Sequence, residues 1–232
     1  MAAPVSPLPV EQAERARDRS AQESADVLQW LRARQRADLL HVQRVPLHRL
    51  ADWSFDPETG NIGHRTGRFF SIQGARITTT FGSQDTWMQP LILQPEVGIL
   101  GFLADRRDGA LSFLVQAKIE PGNVNVAQVS PTVQATRSNY TRVHGGGSQP
   151  YLEYFLGPPP GTVIVDQLQQ EQGSRYRAKR NRNTIIEVDR RDVPALPGYR
   201  WVTMRELAAL AAIPNALNLD ARSVLSCLPP PT

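Results

Sequence analysis

The sequence predicts an α+β protein, with a helix first, then many strands joined by hairpins, and then further helices. Three observations predict it: a helical stripe near the N-terminus, a long middle section of strand-like segments joined by turns, and helical signals near the C-terminus. Strands and helices do not alternate regularly, so a doubly wound parallel fold is not expected. No internal repeat stands out within the 232 residues.

The N-terminal part divides into a tail and a helix. Residues 1–20 are predicted to be a disordered tail, since the first ten residues already carry three prolines. Residues 22–36 are predicted to be helical, because Val27, Leu28 and Leu31 form an apolar stripe among polar residues. Residues 21–232 are then expected to form a single domain.

The middle of the chain is rich in aromatic and β-branched residues, which favours strands. An Asp-Gly pair at Asp108-Gly109, between two apolar runs, is typical of a hairpin turn. The predicted strands are Phe69–Thr80, Leu91–Gln94, Gly98–Leu103, Ala110–Lys118, Asn123–Val129, Tyr151–Leu156, Val163–Val165 and Ile185–Val188.

The last part of the chain carries helix signals. Thr203 with Glu206 three residues later predicts a capping box, and Pro214 is expected to end that helix. A last short helix is predicted over Leu219–Leu228, with Asp220 near its start.

Composition narrows the class of protein. The net charge is only +4, without the repeated basic and aromatic surface that nucleic acid requires, so nucleic-acid binding is not expected. The single cysteine, Cys227, fits a reducing compartment. No secretory signal or membrane-spanning apolar stretch stands in the sequence, so a soluble cytoplasmic protein without a membrane partner is expected.

Several cofactor and catalytic motifs are missing from the sequence. It contains no Gly-x-Gly-x-x-Gly, no P-loop, no Gly-x-Ser-x-Gly and no cysteine–histidine spacing suited to zinc. Chemistry on side chains alone, with no cofactor and no metal, is therefore expected.

One segment, Gln116 to Gly147, is unusually dense in uncharged polar residues. Polar residues that alternate along strands bordered by glycines suit a concave site for a hydroxyl-rich ligand. An edge strand with a polar outer face would show the same composition, and the residues alone leave both interpretations open.

Seven blocks of the chain resemble the NDP-hexose 2,3-dehydratases of deoxysugar pathways. In chain order they span about residues 45–228: Phe69–Gly74, Gln116–Asn123, Ser130–Thr136, Ser138–Gly146, Glu171–Arg175, Lys179–Asn183 and Tyr199–Trp201. The resemblance implies a Nudix-like mixed sheet with flanking helices. The Arg-Glu-x-x-Glu-Glu string of a Nudix hydrolase is absent, which disfavours magnesium-dependent diphosphate hydrolysis. Family enzymes usually carry two such repeats, so this chain is expected to act as a homodimer.

The activity that the resemblance implies is loss of water across C-2 and C-3 of a dTDP-linked 4-keto-6-deoxyhexose. The expected base is Glu120, Tyr140 or His144, with Lys118, Gln116 or Asn139 on the enolate oxygen. Polar contacts to the substrate are expected from Asn123, Thr132, Gln134 and Ser138. Arginines are expected at the diphosphate and tryptophans on the base or sugar: Arg142, Arg175, Arg180, Arg182, Trp53 and Trp87.

Each of these roles has a structural alternative. Glu120 precedes a Pro-Gly turn and can serve only to organise it, while Tyr140 can bury its ring. The basic run from Arg175 to Arg182 can be a solvated face. A sugar-nucleotide-binding module without catalysis, or an accessory subunit of a deoxysugar pathway enzyme, is the competing function.

Overall fold

A computed structural model describes residues 25–37, 40–83, 85–136 and 149–229. Within them lie eleven strands, two 3-10 helices and four α-helices, of which α1 covers residues 25–36. The strands are β1 Trp53–Phe55, β2 Ile62–His64, β3 Ser71–Thr78, β4 Thr86–Leu93, β5 Gly98–Arg107, β6 Ala110–Ile119, β7 Ala127–Ser130, β8 Val133–Ala135, β9 Thr162–Gln170, β10 Arg180–Glu187 and β11 Tyr199–Thr203. The other helices are α2 Glu153–Leu156, α3 Met204–Ala211 and α4 Leu219–Leu225, and the 3-10 helices are Leu47–Arg49 and Arg190–Asp192.

The first four strands form a small antiparallel sheet in the order β1-β2-β3-β4. Its fourth strand is joined to the segment after β9, because Ile92 accepts a hydrogen bond from Arg177 N and donates one to Arg175 O. This connection brings the end of the small sheet beside the entry to β10.

The larger sheet runs in the order β11-β6-β5-β10-β9, with β7 and β8 paired to β6 and β5. It is mixed because β5 and β10 are parallel while the other pairs are antiparallel. Residues 98–105 of β5 are buried, as expected for a central strand whose sequence is a nearly continuous apolar run.

The sheet forks between β5 and β6. The two strands pair with each other from the hairpin turn as far as Leu103 and Leu114. Farther from the turn, the segment of β7 and β8 lies between them, with β8 paired to β5 and β7 paired to β6. Thr132 occupies the fork point, fully buried: its Oγ1 accepts from Leu103 N at 2.9 Å and donates to Leu114 O at 2.5 Å. One hydroxyl thus replaces the ladder hydrogen bonds that the two strands lose where they separate.

Two apolar clusters cover opposite faces of this sheet. One joins α1, α3 and α4 to the sheet through residues such as Leu31, Leu210 and Val224. The other places Tyr151 and Phe155 against the opposite face, where the Phe155 ring lies where a Cβ on Gly101 would be. The larger sheet is thus covered by three helices on one face and by the four-residue α2 on the other. Together with the separate small sheet, this arrangement confirms the predicted α+β class.

Some of the predictions for turns, helix caps and strands are confirmed and others are wrong. The hairpin at Asp108-Gly109 is confirmed, with both residues at positive φ, and the Thr203–Glu206 capping box is present. The strand predicted over Tyr151–Leu156 is wrong: Tyr151 has φ of 61°, which breaks the extended backbone, and α2 follows. Residues 123–126, predicted to open a strand, are a turn instead.

Strand bounds also differ from the predictions. Strand β3 ends at Thr78, β4 begins at Thr86, and β9 extends to Gln170. The last helix ends at Leu225. The predicted tail over 1–20 lies outside the described residues, within which no helix is long and apolar enough to cross a membrane.

Candidate functional site

A cavity of about 330 Å³ lies at the end of the large sheet where the central strands β5 and β6 have separated. The fork exposes the end of β6 on one side and β8 on the other, and the turn between β9 and β10 and the start of α4 close the cavity. Its lining residues are Gln94, Gly98, Leu100, Lys118, Glu120, Gln134, Ala135, Thr136, Glu171, Gln172, Tyr176, Lys179, Asn181, Leu219 and Asp220.

Three carboxyl groups and two lysines line this cavity: Glu120, Glu171, Asp220, Lys118 and Lys179. Within the described part of the chain, no lysine nitrogen of this set lies within 4 Å of a carboxylate oxygen of the set. The charges therefore face a common space without being neutralised in direct ion pairs, an arrangement suited to a polar ligand.

Amide side chains hold two of the carboxylates. Gln134 Nε2 donates to Glu120 Oε1 at 2.9 Å, and Asn181 Nδ2 donates to Glu171 Oε1 at 2.5 Å. Gln134 Oε1 in turn accepts from Asn218 Nδ2 at 3.0 Å. Because each amide is itself anchored on a strand, Glu120 and Glu171 are held in defined orientations.

Burial shifts the pKa values of the other three groups, Asp220, Lys118 and Lys179. The pKa of Asp220 is raised to about 7, first by burial and then by the nearby charges of Glu171 and Glu120, while Lys118 and Lys179 oppose the shift. Burial also lowers the pKa of both lysines. Shifts of this kind, in a cavity and with named charged neighbours, are typical of catalytic sites.

A second cavity, of about 420 Å³, adjoins the first. It shares Glu171, Gln172, Asn181, Leu219 and Asp220 with the first cavity and adds Gln169, Gln170, Asn183, Arg222 and Ser223. Asn183 is fully buried, and its Oδ1 has no hydrogen-bond partner among the described residues. Asp220 therefore lines both cavities.

The structure brings together three of the residues predicted for the site. Lys118, Glu120 and Gln134 all line the first cavity. Lys118 reaches it from β6 and Gln134 from β8, on the two sides of the fork, and Glu120 comes just after β6.

Three other predicted residues lie apart from the cavity lining. Asn123 organises the turn after β6, donating to Lys118 O and Val126 O. Thr132 is buried at the fork point. Gln116 stands on β6 beside β7 and β11, with its Oε1 buried and unpartnered among the described residues.

The predicted arginines and tryptophans also lie outside the lining. Arg175 and Arg180 are exposed on either side of the cavity residues Tyr176 and Lys179. Arg182 binds Asp166 at 2.7 and 2.8 Å.

The two tryptophans belong to the small sheet. Trp53 packs on Phe70 with ring centroids 4.9 Å apart, and Trp87 Nε1 donates to Gln89. The remaining predictions, Ser138, Asn139, Tyr140, Arg142 and His144, lie outside the described residues.

The cavity lining includes eight polar residues that had not been predicted for the site: Gln94, Thr136, Glu171, Gln172, Tyr176, Lys179, Asn181 and Asp220. Glu171, Lys179 and Asn181 belong to the blocks that carry the family resemblance, and this membership was the feature of the sequence that could have indicated a role in the site. Asp220 was noticed only as a helix-start residue, and nothing in its local sequence indicates a cavity. No group of three or more His, Cys, Asp or Glu with metal-binding geometry occurs in the described residues.

The fold and cavity define an α+β protein whose candidate site combines carboxylates, lysines and amides. The chain belongs to the NDP-hexose 2,3-dehydratase family, whose model matches residues 24–228.

Three curated relatives carry the name dTDP-4-dehydro-6-deoxy-alpha-D-glucopyranose 2,3-dehydratase. The relative from Saccharopolyspora spinosa is 50% identical over 200 residues, which are 86% of this chain and 41% of that protein. The relative from Amycolatopsis orientalis is 50% identical over 210 residues, 88% and 44% of the two chains. The relative from Streptomyces violaceoruber is 46% identical over 201 residues, 86% and 45%. The chain thus spans less than half the length of these relatives.

Among solved structures, a complex between the C-terminal domain of mouse MUTYH and human PCNA contains a similar chain. The likeness has a TM-score of 0.36 at 15% identity and covers 58% of this chain and 87% of the other.

Proposed function

We propose that this chain catalyses the loss of water across C-2 and C-3 of a dTDP-linked 4-keto-6-deoxyhexose, a step in 2-deoxysugar and natural-product glycoside biosynthesis. The observation that carries the proposal is the cavity at the fork, where Lys118 and Glu120 converge with a second lysine and two further carboxyl groups. The curated relatives, at 46–50% identity, are named for this reaction.

The reaction requires only proton transfers and a stabilised enolate. The C-4 carbonyl acidifies the hydrogen on C-3, a base removes this proton, and the C-4 oxygen takes up the negative charge. The electron pair then returns to form the C-2/C-3 double bond as the C-2 hydroxyl leaves. The resulting enol tautomerises to a 3,4-diketo sugar, so the sum of the steps is the loss of one water molecule.

Glu120 is the base that the described geometry favours. Its carboxylate lines the cavity, and the amide of Gln134 fixes one oxygen, which leaves the other to face a substrate. Tyr140 and His144 are the other proposed bases.

Lys118 is proposed to stabilise the enolate oxygen. It lines the same cavity, and its cationic side chain supplies the positive charge that a developing oxyanion requires. Gln116 and Asn139 are the alternatives for this role.

Substrate binding is proposed to extend beyond these two groups. Gln134 can contact sugar hydroxyls directly, since it lines the cavity. Exposed Arg175 and Arg180 flank the cavity residues in sequence and are proposed to hold the diphosphate, together with Arg142 and Arg182. Asn123, Ser138, Trp53 and Trp87 are proposed as further contacts.

We propose further that residues 21–232 form one Nudix-like domain and that two copies of it associate. The sheet layered between helices supports the first statement, and the family's usual pair of repeats supports the second. A cytoplasmic location accords with the single cysteine and with the nucleotide-sugar substrate. Light scattering on the purified chain measures the number of copies directly.

Incubation of the purified protein with dTDP-4-keto-6-deoxyglucose tests the activity. Mass spectrometry is expected to show loss of one water molecule, and a vicinal diamine is expected to trap the 3,4-diketo product. A protein that binds the nucleotide sugar but leaves its mass unchanged would instead be a binding module or an accessory subunit.

A further inference from the structure

Elimination of water needs a proton donor as well as a base. Hydroxide is a poor leaving group, so the C-2 oxygen must be protonated as its bond to carbon breaks. Glu120 is the proposed base and Lys118 the proposed oxyanion contact, so the acid must be another group.

Asp220 is a carboxyl group in the same cavity as the proposed base, close enough to Glu120 and Lys118 for their charges to affect its pKa. It lies in the first turn of α4, behind the N-cap Asn218, and it is the carboxyl that this helix contributes to the cavity. It lines both the first cavity, with Lys118 and Glu120, and the adjoining amide-lined cavity. A substrate lying across the two spaces would pass directly over it.

The hydrogen bonds around the cavity distinguish Asp220 from the other two carboxylates. Glu120 accepts from Gln134, and Glu171 accepts from Asn181. Among the described residues, none donates a hydrogen bond to the side chain of Asp220. Its carboxyl is therefore free to carry a proton and to give that proton to a ligand.

The surrounding charges keep that proton available near neutral pH. Glu120, Glu171 and the phenol of Tyr176 face Asp220 from the segments after β6 and β9, and Lys118 and Lys179 face it from β6 and the entry to β10. Burial together with the two glutamates outweighs the two lysines, which raises the pKa of Asp220 to about 7. An acid with a pKa close to the working pH is the efficient kind of proton donor.

We propose that Asp220 is the general acid that protonates the C-2 hydroxyl as it leaves, an inference that rests on the proposed dehydratase activity. The C-2–O bond breaks, the Asp220 proton completes a water molecule, and the enolate electron pair becomes the C-2/C-3 double bond. Asp220 is left as a carboxylate and Glu120 holds the proton from C-3. Exchange with solvent returns both groups to their starting states.

The Asp220→Asn variant separates the two halves of the reaction. In D₂O, with the 4-keto-6-deoxy nucleotide sugar, removal of the C-3 proton appears as deuterium at C-3, whereas loss of the hydroxyl appears as dehydrated product. The variant is expected to lose about a hundredfold to ten-thousandfold in dehydration, the usual range for a general acid. Exchange at C-3 is expected to continue at a rate within about tenfold of the wild type.

Two results would overturn the assignment of Asp220. Dehydration at the wild-type rate would show that another group is the acid. Equal losses of exchange and dehydration would show that Asp220 acts as the base or in binding. If the wild-type protein shows neither exchange nor dehydration, the proposed function itself falls, and the inference falls with it.

Asp108→Asn is the matched control, because Asp108 is an exposed aspartate in the β5–β6 turn, where asparagine tolerates the same positive φ. This variant should keep both exchange and dehydration. Thermal unfolding checks that Asp220→Asn remains folded. Should it not fold, Asp220→Glu keeps a carboxyl but moves it, and it should show the same selective loss of dehydration to a smaller degree.

Discussion

The side-chain amide of Gln134 donates a hydrogen bond to the carboxylate of Glu120 at 2.9 Å. The same amide accepts from Asn218, the N-cap of α4, at 3.0 Å. One glutamine therefore couples the proposed base, which lies just after β6, to the helix that carries Asp220. The relative placement of base and acid depends on it.

Replacing Gln134 by Met is expected to lower kcat about a hundredfold, a larger effect than the rise in KM from its lost contact with the sugar hydroxyls. The reason is that a catalytic group displaced by about 1 Å loses a factor of that size. Steady-state kinetics measure the split between kcat and KM. Gln167→Met is the control, since Gln167 is exposed on β9 and should leave kcat unchanged. An unaltered kcat in Gln134→Met would show that Glu120 does not need this anchor.

Thr132→Val is expected to destabilise the protein. Valine keeps the shape but leaves Leu103 N and Leu114 O buried without their partner, and an unsatisfied buried group costs about 1–3 kcal/mol. Denaturant unfolding measures the free energy, and Thr132→Ser, which keeps the hydroxyl, should retain most of it. A stable Thr132→Val protein with a raised KM would support direct contact with substrate instead.

Lys118→Met is expected to separate activity from stability. Burial already penalises the charge of Lys118, so an apolar side chain of similar length should leave the free energy of unfolding unchanged or raise it. Turnover should fall about a hundredfold to a thousandfold through loss of the oxyanion contact. Unfolding experiments check the predicted stability, and rate measurements check the predicted loss of turnover. Normal turnover in Lys118→Met would show that Lys118 has no part in the mechanism.

The raised pKa of Asp220 predicts that stability falls as pH rises from about 4 to about 7. In that window the folded protein holds a proton that the unfolded chain, with an ordinary aspartate pKa near 3.8, has released. Denaturant titrations at several pH values should show this slope in the wild type and a flatter one in Asp220→Asn.

Other groups act outside this pH window. Asp56, Asp166 and Asp189 have lowered pKa values, so their contribution to stability is lost only as pH falls below about 4. The buried lysines act on the alkaline side, where the folded state releases protons before the unfolded chain does. If the unfolding free energy changed with pH equally in the wild type and in Asp220→Asn, the raised pKa of Asp220 would be contradicted.

Patterns local to the chain predicted part of the fold well. The Asp108-Gly109 turn and the Thr203–Glu206 box depend on neighbouring residues, and both are present. A strand was predicted over Tyr151–Leu156 because aromatic residues favour strands. In the structure, Tyr151 has a left-handed backbone conformation and packs edge-on against Tyr199. That packing is a tertiary effect and is not visible in a short window of sequence.

The site was predictable only in part for the same reason. Lys118 and Gln116 alternate on β6 and therefore share a face of the strand, yet only Lys118 lines the cavity. Gln116 lies nearer the fork point, where β7 and β11 flank it on either side. Asp220 reaches the site because α4 packs against β5, β7 and β10. Such a long-range contact leaves no mark on the residues around Asp220.

The wedge of β7 and β8 between two strands that pair elsewhere has a consequence for how the molecule is assembled. The β5–β6 hairpin can form from its turn, whereas β8 must insert on one side of β5 and β10 must pair with its other side from a distant part of the chain. Pairing over such sequence separations is slow, because the entropy of loop closure is lost before the contacts form. The cavity should therefore be among the last features to mature during refolding, well after the hairpin has formed.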